Sequence, residues 1–145
     1  MSSPQDTQST AERVRAAMLE NDHATRAMGI EIASIGPGSA QAVMTVRRDM
    51  LNGHATCHGG FIATLADSAF AFACNAYNEI TVASGFDISF VAPAREGEVL
   101  TATASEVSRS GRTGVYDIDV RNQRGERVAV FRGRSYTMKG KPVVA

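Results

Sequence analysis

At 145 residues, the chain is long enough to bury one core and too short for two comfortable ones. Its 15 basic and 15 acidic side chains cancel, and the arginines that crowd the C-terminal third, Arg109 to Arg134, are interleaved with Asp117, Asp119 and Glu126. That interleaving excludes the basic stripe a nucleic-acid surface needs, and the two cysteines, Cys57 and Cys74, are too few for a disulfide framework and fit a reducing, cytoplasmic setting.

Met1 to Thr10 is polar and lacks the basic start and apolar stretch of a secretion signal, so residues 1–8 are expected to form a disordered tail. Ser9 followed by Glu12 has capping-box spacing, and Val14, Ala17 and Met18 then recur at helical spacing, giving an amphipathic helix to about Asn21. From Gly29 to Arg47, Ile30, Ile32 and Ile35, then Ala42, Met44 and Val46, alternate around Gly36-Pro37-Gly38, the pattern of a hairpin. Asp49 to Thr56 has no periodicity and reads as a loop leading into Gly59-Gly60. Phe61 to Tyr77 is almost unbroken apolar sequence, but it is short, rich in alanine and carries Asp67 near its middle, which argues against a membrane span. The expectation is a buried helix from Gly59 to Tyr77.

Four strand-like runs follow, Thr81 to Val91, Val99 to Ser108, Val115 to Asn122 and Val128 to Met138. Turn signals at Pro93 to Gly97, Ser110-Gly111 and Gln123 to Gly125 separate them, which predicts an antiparallel meander. A helix apolar nearly all round needs covering on most sides, and a curved antiparallel sheet supplies that. The expected class is therefore α+β, one domain over residues 9–139 with a tail at 140–145.

Asp67 is the only charged residue between His58 and Glu79, so no neighbour one helical turn away can pair with it. A bare carboxylate in a core is costly, so Asp67 must find donors on the strands, line a subunit interface, or face a wet cleft where it can act. Gly59 and Gly60 open the same helix, where the first amides have no internal acceptor and can bind a developing oxyanion. Eight residues at ~1.5 Å each place Asp67 about 12 Å along the axis from Gly59. One helix cannot bring both to one carbonyl, which predicts a two-fold dimer with sites built from both chains. His54, Cys57 and His58, with only His23 elsewhere, fall short of a zinc site, and haem attachment would need a second cysteine before His58. His58 and Asn52 are by themselves an ordinary histidine and an Asn-Gly turn former, notable for standing beside the glycine pair.

The run Asn52-Gly-His-Ala-Thr-Cys-His58-Gly59-Gly60-Phe-Ile-Ala-Thr-Leu-Ala-Asp67 and onward to Asn75 resembles the motif of hotdog-fold thioesterases of the PaaI type, from bacterial phenylacetate degradation. The similarity continues through Val82-Ala-Ser84, Phe90-Val-Ala-Pro93, Leu100 to Ala104, Gly114 to Ile118 and Val130 to Gly133. The resemblance implies a hotdog fold, a homotetramer of two dimers, and hydrolysis of aryl-acetyl-CoA thioesters with no cofactor or metal. It implies that Asp67 is nucleophile or general base, that the Gly59 amide polarises the carbonyl, and that Asn52 and His58 support them. Gly60, Ser84 and the run Ser110-Gly111-Arg112-Thr113 are candidates for holding the substrate or its CoA, with Arg134 and Lys139 as further phosphate contacts, and Phe61, Leu65 and Phe90 for the acyl pocket. A hotdog hydratase or dehydratase, and a non-catalytic acyl-CoA-binding module, are the rival readings.

Overall fold

In the computed structural model, which describes residues 2–145, two N-terminal helices precede a hairpin, a long central helix and four strands. Helix α1 spans Pro4–Asn21 and α2 His23–Ala27; β1 spans Glu31–Gly36 and β2 Ser39–Thr45; α3 spans Gly59–Asn75. Strands β3 (Thr81–Phe90), β4 (Val99–Ser110), β5 (Thr113–Arg121) and β6 (Arg127–Thr137) complete one six-stranded sheet in the order β1-β2-β4-β5-β6-β3, antiparallel throughout.

Three expectations need correction. Residues 4–8 are helix, not a disordered tail: Ser3, not Ser9, caps α1, its hydroxyl accepting from the Asp6 amide at 3.1 Å while Asp6 accepts from the Ser3 amide. Pro4 at the first helical position suits that start, since its missing N–H would be unpaired anyway. The last four strands are not one meander: β4-β5-β6 is, but β3 joins at the far edge beside β6, and the Val91–Glu98 loop passes two strands, β6 and β5, to set β4 beside β2. Three strand spacings are about 14 Å and eight residues reach about 26 Å, so the loop length permitted either arrangement. Helix α3 stops at Asn75, where the Asn75 side chain leaves the helix pattern to pair with both the N–H and the C=O of Thr81 at 2.9 Å.

The core lies between α3 and the inner face of the sheet, where Leu65, Ala66, Ala69, Phe70, Phe72 and Ala73 meet Met44, Leu100, Ala102, Ile118 and Val120. Gly133 admits the Phe70 ring to the sheet, because a Cβ there would lie 2.8 Å from ring carbons. The two sheet edges are treated differently. Along β1, side chains of α1 occupy backbone acceptors, Gln8 donating to the Ile35 carbonyl at 2.6 Å and Arg15 to the Ile32 carbonyl at 3.1 Å. Strand β3 has no such guard among the described residues, and Val82, Phe86 and Phe90 stand exposed along it. Outside the sheet the interleaved charges pair with one another, Asp117 with Arg132 at 2.7 Å, Asp119 with Arg121 and Arg127, and Asp87 with Arg134 at 2.8 Å. No helix among the described residues is long and apolar enough to cross a membrane.

Candidate active site

Helix α3 is buried along most of its surface, and its open side is the stripe Gly60, Ala63, Thr64, Asp67 and Ala71, spaced three or four apart. Asp67 is half-buried and makes no hydrogen bond with the other described residues, so the strands do not satisfy it. Burial raises its pKa above the ordinary carboxylate value, and the negative charge of Asp22 adds to the rise. Asp22 caps α2 through the Thr25 amide and hydroxyl, and the Thr25 hydroxyl meets the Ser68 hydroxyl at 2.8 Å, which ties α2 to the inward face of α3 one residue from Asp67. Asp67 opens on a cleft of about 430 Å³ walled by Met18, Phe70, Cys74, Ile80 and Val143.

At the start of α3 the chain turns at Ala55, whose φ is +60°, and enters the helix at His58. Asn52 builds that turn: its Oδ1 accepts from the His54 and Thr56 amides at 2.9 and 3.2 Å and from the Thr56 hydroxyl. The turn-former reading of Asn52 therefore holds for its oxygen, while its side-chain NH2 stays uncommitted. The His58 Nδ1 accepts from the Gly60 amide at 3.3 Å, so His58 is the N-cap and its Nε2 carries the proton. This corrects the expectation for Gly60, whose N–H is spent on the cap. The Gly59 N–H has no acceptor among the described residues and points its helix-end partial charge outward. Gly59 lines a separate cleft of about 460 Å³ with Ile62 and Phe90 to Ala94. A Cβ on Gly59 would stand 2.8 Å from the tip of the exposed Phe90 ring, which would have to swing aside.

The remaining candidates divide. Phe61 is half-buried and lies edge-on to His58, and Phe90 is exposed beside Gly59. Leu65 is corrected: it is fully buried in the core, because position 65 falls on the inward side of α3, and it walls neither cleft. Ser84 is the extra residue of a bulge in β3, adjoining the Asp67 cleft at Ala83, with its hydroxyl donating to the Arg134 carbonyl at 3.2 Å. Ser110, Gly111, Arg112 and Thr113 form the β4–β5 hairpin tip and reach neither cleft; Gly111 lines another hollow with Arg109, Lys139 and two glutamates. A larger concavity, about 730 Å³, lies on the outer face of the sheet among charges already paired with one another, so size does not pick the site. Sequence reasoning did not find Met18, Ile80 or Val143, for they meet only through the chain path.

What the geometry offers is a raised, unpaired carboxylate at the middle of one continuous helix and an unpaired amide at its start, each on its own cleft. Against known proteins, residues 54–129 match the family model described as the thioesterase superfamily. The chain is 48% identical over 124 residues to the acyl-coenzyme A thioesterase PaaI of Escherichia coli (strain K12), covering 86% of this chain and 89% of that protein. It is 32% identical to the acyl-coenzyme A thioesterase 13 of Homo sapiens, over 81% of this chain and 85% of that one. The solved structure of the E. coli PaaI protein from the phenylacetic acid degradation operon superimposes with a TM-score of 0.91 at 45% identity, over 93% of this chain and 98% of that one. A point mutant of the phenylacetic acid degradation protein PaaI from Thermus thermophilus gives 0.76 at 37% identity, over 79% of this chain and 98% of that one.

Proposed function

The chain belongs to the thioesterase superfamily as a hotdog-fold acyl-CoA thioesterase of the PaaI family, and from that premise we propose that it hydrolyses phenylacetyl-CoA and hydroxylated phenylacetyl-CoA esters at sites shared by two subunits. The observation that carries the site is the pairing of an unbonded Gly59 amide with an unbonded Asp67 on one α3, about 12 Å apart along the axis. A base or nucleophile must come within about 3 Å of the reacting system, so the two serve one carbonyl only across a subunit boundary.

The unguarded β3 edge supports the same reading. Ten residues long, with Val82, Phe86 and Phe90 exposed along it, it is a template for a second copy. Antiparallel pairing of two β3 strands about a two-fold axis sets the Thr81 end of one against the Phe90 end of the other. Ile80 to Ala83 wall the Asp67 cleft and Phe90 to Ala94 wall the Gly59 cleft, so that pairing merges the two clefts in two symmetric copies. Further association of such dimers makes the homotetramer, and the cytoplasmic setting agrees with two unpaired, buried thiols.

In each merged site the Gly59 N–H of one subunit receives the thioester oxygen, and charge growing on that oxygen is met by the end of the helix. Asp67 of the other subunit either attacks the carbonyl carbon or takes a proton from the attacking water. The C–S bond then breaks and the thiolate leaves as CoA, taking up a proton; on the first route water then cleaves the acyl anhydride formed on Asp67, and on either route the free acid is released. His58 offers its Nε2 proton, and Asn52 its side-chain NH2, to water or to the departing sulfur. No step requires a cofactor or metal.

Phenylacetyl, hydroxyphenylacetyl, benzoyl and straight-chain CoA esters assayed side by side test the substrate. Highest kcat/KM on the phenylacetyl esters is expected, and a preference for straight chains would refute the substrate assignment. Asp67→Asn is expected to lower kcat at least 100-fold with folding intact. A hydratase would leave phenylacetyl-CoA untouched, and a binding module would release no thiol from any ester.

A further inference from the structure

The floor of the Asp67 cleft is built by α3 and the start of β3, but two of its sides come from segments remote in sequence. Met18 reaches in from α1, and Val143 from the stretch that follows β6. That stretch, residues 139–145, turns at Gly140 and doubles back over the end of α3 as a strap. The Ile80 N–H donates to the Lys141 carbonyl at 2.8 Å, and the Gly140 N–H to a Glu79 carboxylate oxygen at 3.3 Å. Asn78 then acts as a strand neighbour would: its side-chain NH2 donates to the Val144 carbonyl at 3.1 Å and its Oδ1 accepts from the Val144 N–H at 2.9 Å. It holds this pose with a φ of +66°, a left-handed conformation that asparagine tolerates better than most residues.

The polar groups in the cleft wall are already committed. Asn75 spends its NH2 on the Ala71 and Thr81 carbonyls and its Oδ1 on the Thr81 N–H, and the Cys74 thiol faces the Ala71 carbonyl. Asp67 alone is left to meet a ligand, and the rest of the wall is apolar. At about 430 Å³ the cleft falls in the size range of small-molecule sites, roughly 300–1,000 Å³.

We propose that Met18 and the Asn78-pinned strap form the far wall of the acyl compartment, so that Met18 and Val143 set the bulk of the apolar acyl group accepted. The assignment rests on Asp67 being the catalytic carboxylate. The acyl group of a thioester held at Asp67 enters this cleft, where Met18 and Val143, with Ile80, are the side chains it meets from outside α3 and β3. Both are half-buried and border solvent, so replacing them changes the wall without opening the main core.

The test is kcat/KM for butanoyl-, phenylacetyl- and naphthylacetyl-CoA with the wild type, Met18→Ala, Val143→Ala, Val143→Phe and Asp67→Asn, with circular dichroism for each. The alanine variants are expected to raise the naphthylacetyl-to-phenylacetyl ratio about tenfold or more, the scale on which a pocket discriminates by a methylene or two. Val143→Phe is expected to lower the phenylacetyl-to-butanoyl ratio by a similar factor. Ratios that stay fixed in folded Met18→Ala and Val143→Ala, in an enzyme that Asp67→Asn inactivates, overturn the wall and leave the thioesterase site standing. A wild type inert on all three esters, or an Asp67→Asn that keeps its activity, overturns both.

Discussion

Asp67 shows how one side chain can serve chemistry at the expense of stability. Burial and the nearby Asp22 charge raise its folded pKa, whereas in the unfolded chain it titrates as an ordinary aspartate. Between those two values the native state holds a proton that the unfolded state has lost. Stability therefore falls as pH rises through that window and stays lower above it. Asp67→Asn removes the titration, so at neutral pH the inactive variant is expected to melt at a higher temperature than the wild type. Below the unfolded pKa the difference should vanish, and thermal scans across pH measure both outcomes. Catalysis uses the ionised form, so the acid limb of the kcat/KM profile is expected above the usual carboxylate range. Asp22→Asn takes away the charge that adds to the rise and should move that limb toward lower pH. Asp22 also caps α2, so Thr25 remains its structural partner through the asparagine, and an unmoved limb would deny the electrostatic link.

Among elements, α3 depends on two close approaches to glycine. Gly133→Ala would press a methyl into a ring that is fully buried, and overpacking of that kind costs about 1–3 kcal/mol, readable as a lower urea midpoint. Gly59→Ala meets only the tip of the exposed Phe90 ring, so its expected effect is on kcat, with little change in midpoint. Local pattern made the elements legible: alternation placed every strand within two residues of its observed ends, and the apolar run marked α3. It also singled out Asp67 as the lone charge and Gly59 as the helix opening. What escaped it was non-local or very short. Helix α2 has five residues and no apolar period, and Ser3-Pro4 with Asp6 carries the same cap chemistry as the Ser9 and Glu12 chosen from the sequence. No periodicity says that β3 travels to the far edge, that His58 consumes the Gly60 amide, or that Val143 returns to Asp67. Leu65 was misassigned because its hydrophobicity suits a core and an acyl pocket equally.

At the scale of the whole molecule, a site divided between chains makes a distinctive demand on mixtures. His58→Ala and Asp67→Asn disable opposite halves of each site, so a dimer containing one of each concentrates both lesions in one site and leaves the other intact. Random reassembly of equal amounts gives about half mixed dimers with one good site of two, hence about a quarter of wild-type activity from two inactive proteins. A site confined to one chain would recover nothing. The open β3 edge, with Val82, Phe86 and Phe90 along it, carries this one step further. When folding and chemistry both need a second copy, concentration becomes a variable of the enzyme itself. Specific activity and melting temperature should then fall together on dilution, and a freshly made chain would stay idle until it met its twin.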